Sequence, residues 1–199
     1  MKKIVTLLFL VCFIVTCTFS QDSAATRSYI RKPALGLSFF FNDFLTAQRI
    51  RSSSLSSVLE NKQRAKINEM DPGIALTYFK GLSNHVDLAV SMAGSFAQYD
   101  LEDRFVSDEK FFLETDASIN IKLMTEKYWV TPYASIGAGI SKYGTYYGAF
   151  IPVGIGLKLN ILDEAHVFYN SQYRIPVTTG TANYHFMHGI GIAGIISSK

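Results

Sequence analysis

The chain has 199 residues, which is enough for one domain and at most two. Its formal net charge is +3, and about +1 remains once Lys2 and Lys3 are set aside, so the charge gives no sign of nucleic-acid binding. Hydrophobic residues make up 48% of the sequence and aromatic residues 14%. A chain this apolar has to hide its apolar side chains in a core or place them against lipid.

Residues 1–20 have the pattern of a secretory signal peptide. Lys2 and Lys3 form a basic start, residues 4–15 are apolar, and small residues precede a cleavage site at Gln21. The apolar stretch is shorter than the ~20 residues that a membrane-spanning helix needs, which disfavours a transmembrane anchor. The chain is therefore expected to be exported.

Both cysteines, Cys12 and Cys17, fall inside the signal peptide. The exported chain is then expected to carry neither a disulfide nor a thiolate metal site. The residues before Cys17 match a lipoprotein cleavage site weakly, so lipidation there stays an alternative. We expect residues 21–32 to form an unstructured periplasmic lead to the domain that follows.

The clearest structural element is a strand over residues 149–161. Alternate residues are apolar and face one side: Ala149, Ile151, Val153, Ile155, Leu157, Leu159 and Ile161. The residues between them face the other side: Phe150, Pro152, Gly154, Gly156, Lys158 and Asn160. This period of two predicts a strand with different surroundings on its two faces, and its length is enough to cross a bilayer at a tilt.

Seven other stretches alternate in the same way. Together they predict eight strands at residues 34–42, 73–79, 86–99, 111–124, 130–143, 149–161, 166–175 and 184–195. Short links are expected at 80–85, 125–129 and 162–165, and longer ones at 43–72, 100–110, 144–148 and 176–183. Short turns at one end and longer loops at the other are typical of outer-membrane barrels. The predicted fold is all-β, an eight-stranded antiparallel up-and-down transmembrane β-barrel over residues 33–199, in which the first strand pairs with the last.

The face opposite the apolar one should line the lumen. An eight-stranded barrel has room there for side chains alone, and buried charges need partners. We expect a lumen charge network in which two carboxylates meet cations of neighbouring strands: Glu114, Asp116, Lys122, Lys158 and Arg174. Small residues on this face, mainly Gly, Ser, Ala and Asn, are expected to let the strands close.

Alternation alone does not exclude a soluble barrel of the lipocalin kind, whose apolar face points inward. The small residues of the polar face favour a crowded interior over a solvated exterior. Aromatic residues near the strand ends fit the interfacial girdles of membrane barrels, although ordinary turn aromatics are an alternative. These residues are Tyr128, Trp129, Tyr143, Tyr146, Tyr147, Tyr184 and Phe186.

The signal peptide, the alternating strands, the large first loop and the closing stretch NYHFMHGIGIAG resemble the OmpA-type outer-membrane β-barrel domain of Gram-negative bacteria. The resemblance covers residues 33–196 and implies contact with outer-membrane lipid and insertion by the barrel assembly machinery. The family often adds a C-terminal peptidoglycan-binding domain, and we expect none here because the chain ends at Lys199.

No group of residues predicts catalysis, a cofactor or a metal site. His185 and His188 lie three apart on one strand and should point to opposite faces, which is the wrong spacing for one metal. The best enzyme hypothesis is a lipid acyltransferase or deacylase that uses an inward His185, with Thr178, Thr179 and Thr181 nearby. A general base also needs a nucleophile within hydrogen-bond reach.

We therefore predict a small integral outer-membrane barrel, monomeric and not an enzyme, with a plugged polar lumen and a structural or surface-interaction role. Residues 43–72 are the expected contact for a surface partner, and no nucleic acid is expected to bind. An outer-membrane lipid-modifying enzyme and a soluble periplasmic ligand-binding barrel are the alternatives.

Overall fold

The computed structural model describes residues 29–97, 110–162 and 164–196. These residues form eight strands: β1 (Ala34–Asp43), β2 (Asp71–Gly81), β3 (Val86–Ala97), β4 (Lys110–Lys122), β5 (Val130–Tyr143), β6 (Tyr146–Leu162), β7 (Ala165–Pro176) and β8 (His185–Ile195). Each one overlaps a predicted strand, and the boundaries agree to within three residues. Residues 98–99 of the predicted third strand lie outside the described residues, as does the predicted signal peptide.

The strands form a closed antiparallel barrel in which sequence neighbours pair and β1 also pairs with β8. At the closing seam Ala34 lies opposite Ile195, and Asp43 lies opposite Phe186. A sheet closed in this way leaves no strand edge unpaired, as a membrane-spanning sheet requires, because hydrocarbon cannot hydrogen-bond to backbone groups. The predicted fold class and the predicted pairing of the first and last strands are confirmed.

The connections alternate between the two ends of the barrel. The links after β2, β4 and β6 lie at the end where β1 begins and β8 ends, which we call the turn end. The links after β1, β3, β5 and β7 lie at the opposite end, which we call the loop end.

The link between β5 and β6 differs from the longer loop expected at residues 144–148. Gly144 and Thr145 form a two-residue turn, with Tyr143 opposite Tyr146. Gly144 has a φ of +57°, a value that glycine adopts without a Cβ clash and that tight hairpins require. The expectation was wrong because the turn glycine lets pairing resume at Tyr146, which lengthens β6 to 17 residues.

The link between β1 and β2 is folded rather than extended. It forms α1 (Phe44–Ser52), α2 (Leu55–Glu60) and a short 3-10 helix (Ile67–Glu69). The Asp43 side chain accepts a hydrogen bond from the backbone N–H of Thr46 at 2.8 Å and so caps α1. The sequence analysis predicted only a long link at residues 43–72 and did not predict α1.

Side chains alternate along the strands between a buried inner face and an exposed outer face. In β6, Phe150, Pro152 and Lys158 are buried, whereas Ile151 and Ile155 are exposed. Large apolar side chains exposed around the barrel include Leu37, Phe39, Ile74, Leu76, Met92, Ile136, Ile140, Val153, Ile155, Ile190 and Ile192. The apolar face is therefore the outer face. No helix among the described residues is long and apolar enough to cross a membrane.

Aromatic side chains fill much of the lumen, and four of them lie directly opposite a glycine of the next strand. The pairs are Phe40 with Gly73, Tyr133 with Gly156, Phe150 with Gly139 and Phe168 with Gly191. A Cβ added to the glycine of any of the first three pairs would lie 2.2–2.4 Å from the facing ring. The small residues predicted for this face therefore make room for aromatic rings, which the sequence analysis did not predict.

Candidate functional sites in the lumen and on the outer face

A charge cluster fills the loop-end half of the lumen. Arg174 on β7 donates hydrogen bonds to Glu114 on β4 and, at 3.1 Å, to Asp116 on the same strand. All three side chains are buried, and Ser118 donates to Asp116 at 2.9 Å. The guanidinium also lies 4.8 Å from the centre of the Phe150 ring. Because β4 and β7 are not neighbours in the sheet, these ion pairs cross the lumen and obstruct it.

The start of α1 covers this loop-end cluster. The ring of Phe44, the first residue of α1, lies 4.7 Å from the ring of His185 and 6.3 Å from that of Phe112, measured between centroids. Nε2 of His185 lies 3.4 Å from a carboxylate oxygen of Glu114. The first loop therefore packs directly onto the charged interior.

A second charge cluster fills the turn-end half of the lumen. Asp87 on β3 forms ion pairs with Lys122 on β4, at 2.7 Å, and with Lys158 on β6. The three side chains are fully shielded from solvent. Lys122 also pairs at 3.1 Å with Glu126 in the link after β4, and Nζ of Lys158 lies 5.5 Å from the Tyr133 ring. Asp87 thus pairs with two buried ammonium groups, and Glu126 supplies a second carboxylate to Lys122.

Arg31, three residues before β1, completes the turn-end cluster. Its guanidinium donates to Glu126 and Asn160 and contacts Nδ1 of His166. Burial alone would raise the pKa of Glu126, but the hydrogen bond and charge of Arg31, with the charges of the two lysines, lower this pKa to about 2. Glu126 therefore remains ionised at ordinary pH. The predicted lead segment includes Arg31, so its last residues pack against the turn end of the barrel.

The structure divides the predicted lumen network between these two clusters. It brings Glu114 and Asp116 together with Arg174, whereas Lys122 and Lys158 lie at the other end of the lumen. The sequence analysis missed the carboxylate partners of the two lysines, Asp87 and Glu126, and it missed Arg31, which pairs with Glu126.

Strand parity could have identified Asp87, because it lies between Val86 and Leu88 on the face opposite to them. Arg31 and Glu126 lie outside the strands, so no periodicity indicates where their side chains point. Their positions depend on how the residues before β1 and the link after β4 fold over the turn end.

The structure places His185 against the loop-end cluster rather than beside a hydroxyl nucleophile. Its Nδ1 lies 3.1 Å from the carbonyl oxygen of Asn183, and its Nε2 faces Glu114. The hydroxyl of Thr178 accepts a hydrogen bond from the backbone N–H of Ala149 at 2.9 Å. The hydrogen-bond partners of His185 are thus Asn183 and Glu114. Within the described ranges no group of three or more His, Cys, Asp or Glu side chains could hold a metal ion.

Exposed aromatic side chains mark both ends of the outer face. Tyr128 and Trp129 lie at the turn end, and Tyr147 lies at the loop end. Tyr143, expected in the same girdle, is buried in the lumen and its hydroxyl donates to the carbonyl of Ala97 at 3.3 Å. That expectation was wrong because the parity of β5 directs Tyr143 inward, beside the aromatic rings of the loop-end half.

No protein-family model and no curated protein matches the chain. Among solved structures, the chain is similar to Neisserial surface protein A (NspA), with a TM-score of 0.54 and 10% identity over 84% of this chain and 99% of that one. It is also similar to the N-terminal β-barrel domain of Pseudomonas aeruginosa OprF, with a TM-score of 0.50 and 14% identity over 81% and 96%. The attachment invasion locus protein Ail of Yersinia pestis matches with a TM-score of 0.47 and 13% identity over 82% and 95%.

At these identities the likeness to NspA and to the OprF domain concerns the fold. Both are eight-stranded barrels of the outer membrane. The closed antiparallel barrel gives this chain the same fold, an eight-stranded antiparallel β-barrel, here with an apolar outer face and a salt-bridged lumen.

Proposed function

We propose that the protein is a small integral outer-membrane barrel with a structural or surface-interaction role. The observation that carries the proposal is the distribution of side chains, which is the reverse of that in a water-soluble protein. Isoleucine, leucine and phenylalanine side chains surround the outside, whereas ion pairs occupy the inside. An exposed apolar surface of this extent is unfavourable in water and favourable in lipid. It also counts against the soluble lipocalin-like alternative, whose apolar face would point inward.

The filled lumen supports a role other than that of a wide pore. Ion pairs cross the lumen in both halves, and aromatic rings such as those of Phe40, Phe112 and Phe168 are almost fully buried between them. A barrel of eight strands leaves an interior that side chains can fill. Solutes would have to displace several buried charges from their partners in order to pass.

The first loop supports a surface interaction. It is tied into a folded unit, because Thr46 accepts a hydrogen bond from the backbone N–H of Ala65 at 2.8 Å and Val58 is fully buried. It nevertheless leaves Leu55, Leu59 and Ile67 exposed. An ordered loop with exposed apolar side chains is typical of a protein-binding surface, so we propose residues 43–72 as the contact for a surface partner.

Export, assembly and oligomeric state complete the proposal. Residues 1–20 would be removed as a signal peptide, the barrel assembly machinery would insert the chain, and the turn end would face the periplasm. A barrel whose strands all pair internally offers no edge to a second copy, which supports a monomer. We propose no catalytic role, since the inward His185 faces a carboxylate rather than a nucleophile.

The decisive experiment compares boiled with unboiled samples of the detergent-extracted protein from fractionated cells. A closed inserted barrel should enrich in the outer-membrane fraction and migrate differently on a gel before and after boiling. A protein found free in the periplasm, without a heat-dependent shift, would refute membrane insertion and favour ligand binding by a soluble barrel. Unchanged lipid composition on His185→Ala would further count against the lipid-enzyme alternative.

A further inference from the structure

The first loop carries a concentration of positive charge. Residues 44–70 contain five Lys or Arg residues and two Glu residues, so this segment alone has a net charge of +3. Three of the cations, Lys62, Arg64 and Lys66, are exposed at alternate positions between α2 and the 3-10 helix. We call these three residues the basic row. The row lies within the segment that the proposed function assigns to a surface partner.

Contacts with α1 hold the basic row in place. The backbone carbonyl of Gln63 accepts a hydrogen bond from Nη1 of Arg49 at 2.9 Å. The backbone N–H of Ala65 donates to the hydroxyl of Thr46 at 2.8 Å, and Ala65 is buried. The two residues that separate the cations are therefore tied to the helix. The row keeps one shape before a partner binds, which lowers the entropic cost of binding.

Exposed apolar side chains come before and after the basic row in the chain. Leu55 and Leu59 lie one turn apart on α2 and are 56% and 49% exposed, and Ile67, directly after Lys66, is 70% exposed. Val58 supplies the buried side of α2, so the two leucines are not needed for the packing of the loop. Covering an exposed leucine or isoleucine with a partner is favourable. A partner that covers the whole row would therefore bury apolar atoms as well as meet charges.

These features favour an acidic protein segment over other anionic partners. Positive charge alone would suit any polyanion, but an anionic polysaccharide offers few apolar groups to cover Leu59 and Ile67. A protein segment supplies both carboxylates and apolar side chains. In an extended segment, alternate side chains point to one face and lie about 7 Å apart. The cations of the basic row also occupy alternate positions, so acidic side chains with the same repeat can meet them.

We propose that the basic row, together with Leu59 and Ile67, binds an extended acidic segment of a partner protein outside the cell. This inference rests on the surface-interaction role proposed for residues 43–72. Carboxylates at alternate positions of the segment pair with the three cations, and apolar side chains at its two ends pack on Leu59 and Ile67. The charges speed the encounter and fix the register, and the apolar contacts slow release.

The test is fluorescence anisotropy of a labelled peptide of about ten residues, titrated with the barrel in a nonionic detergent. The peptide has Glu at alternate positions and Leu at both ends, which matches an extended strand. The double variant Arg64→Gln with Lys66→Gln should weaken peptide binding by about threefold to tenfold at low ionic strength. Its affinity should also depend less on salt than that of the wild type, because fewer ion pairs are screened.

Lys127→Gln with Lys142→Gln is the matched control. It removes the same charge from two exposed positions away from the first loop, one in the link after β4 and one on β5. This double variant should bind the peptide as the wild type does. Equal losses in the two double variants would overturn the proposal, because they would show a general attraction between opposite net charges.

Leu59→Gln separates the apolar contact from the charges. It should weaken binding of the Leu-ended peptide by about threefold to tenfold and leave binding of a Ser-ended peptide unchanged. Equal affinity of the wild type for the two peptides would overturn the proposal. Tight binding of heparin without binding of the Leu-ended peptide would also overturn it, in favour of an anionic polysaccharide.

The second loop of the same chain is the rival occupant of the basic row. Its sequence contains five acidic residues: Asp100, Glu102, Asp103, Asp108 and Glu109. A variant in which all five become Asn or Gln distinguishes the two occupants. Binding of the peptide by the wild type supports an external partner. Binding by this variant alone would assign the row to the second loop and overturn the proposal.

The heat-dependent gel shift is recorded first for every variant. A normal shift without selective binding of the Leu-ended peptide would defeat this inference and leave the proposed outer-membrane barrel standing. Absence of the shift in the wild-type protein would defeat the proposed function itself.

Discussion

Phe150 on β6 lies directly across from Gly139 on β5, and the guanidinium of Arg174 lies 4.8 Å from the centre of the Phe150 ring. A Cβ added at position 139 would lie 2.4 Å from that ring. Because Gly139 has no side chain, the Phe150 ring can lie against it. The ring in turn contacts Arg174, which pairs with Glu114 and Asp116.

Gly139→Ala should destabilise the folded barrel by about 1–3 kcal/mol, because the added methyl group forces the Phe150 ring away from Arg174. Gly194→Ala is the matched control, since a Cβ there would meet no atom within 4 Å. Its effect should stay within about 0.5 kcal/mol. Urea unfolding from lipid vesicles, followed by fluorescence of the single tryptophan, Trp129, measures both changes.

Adding Phe150→Leu to Gly139→Ala tests the same relationship from the other side. The smaller side chain should relieve the clash, so the double variant should be more stable than the sum of the two single changes predicts. Strictly additive losses would show that the ring and the glycine act independently.

Arg174→Met should destabilise the barrel by about 3–5 kcal/mol, because it leaves two buried carboxylates without their shared guanidinium. The triple variant Arg174→Met, Glu114→Gln and Asp116→Asn removes the charges together and should recover most of the loss. The fraction of protein that folds into detergent micelles, read from the unboiled gel band, compares the two. If Arg174→Met alone folds as well as the wild type, the loop-end charge cluster does not stabilise the barrel as proposed.

Glu126 should make stability depend on acid pH. Its pKa in the folded protein is about 2, below the ordinary value of 4.5, so the carboxylate stabilises the fold at neutral pH. That contribution is lost as the pH falls from about 5 toward about 2, since protons then bind the unfolded chain first. The unfolding free energy of Glu126→Gln should vary less over this range than that of the wild type.

The control for this pH series is Glu164→Gln, which changes an exposed carboxylate in another link of the turn end. It should leave the acid dependence close to that of the wild type. Arg31→Gln, in contrast, should reduce the acid dependence, because it removes the main group that lowers the pKa of Glu126. An unchanged profile for both Glu126→Gln and Arg31→Gln would refute the assignment.

Ile155→Lys should impair insertion into lipid vesicles. Ile155 is 68% exposed near the middle of β6, and a lysine at mid-membrane costs about 2–4 kcal/mol in a barrel. Leu55→Lys is the matched control, because Leu55 is similarly exposed, at 56%, but lies in the first loop. Folding yield in vesicles, measured by protection from added protease, should fall for Ile155→Lys alone. Equal yields would place the outer face of β6 outside the membrane.

The sequence by itself determined the strands, their order and the two faces of the barrel. A period of two depends on local geometry, because successive side chains of any strand point to opposite sides. Closure of the sheet followed as well, since an open edge is excluded in hydrocarbon. The lengths of the links depended on more than local sequence: a glycine at position 144 is compatible with a short turn or a longer loop, and only pairing between β5 and β6 decides between them.

The tertiary structure alone decided which charges meet and what fills the lumen. Periodicity placed Lys122, Lys158 and Arg174 on the inner face. It did not show which of these side chains lie at the same level along the barrel axis as a carboxylate on a distant strand, nor that Arg31 packs against the barrel from outside the sheet. The same holds for the pairing of aromatic rings with glycines. Both depend on the register and stagger of the closed barrel, which bring together residues far apart in the chain and leave no repeating trace in the sequence.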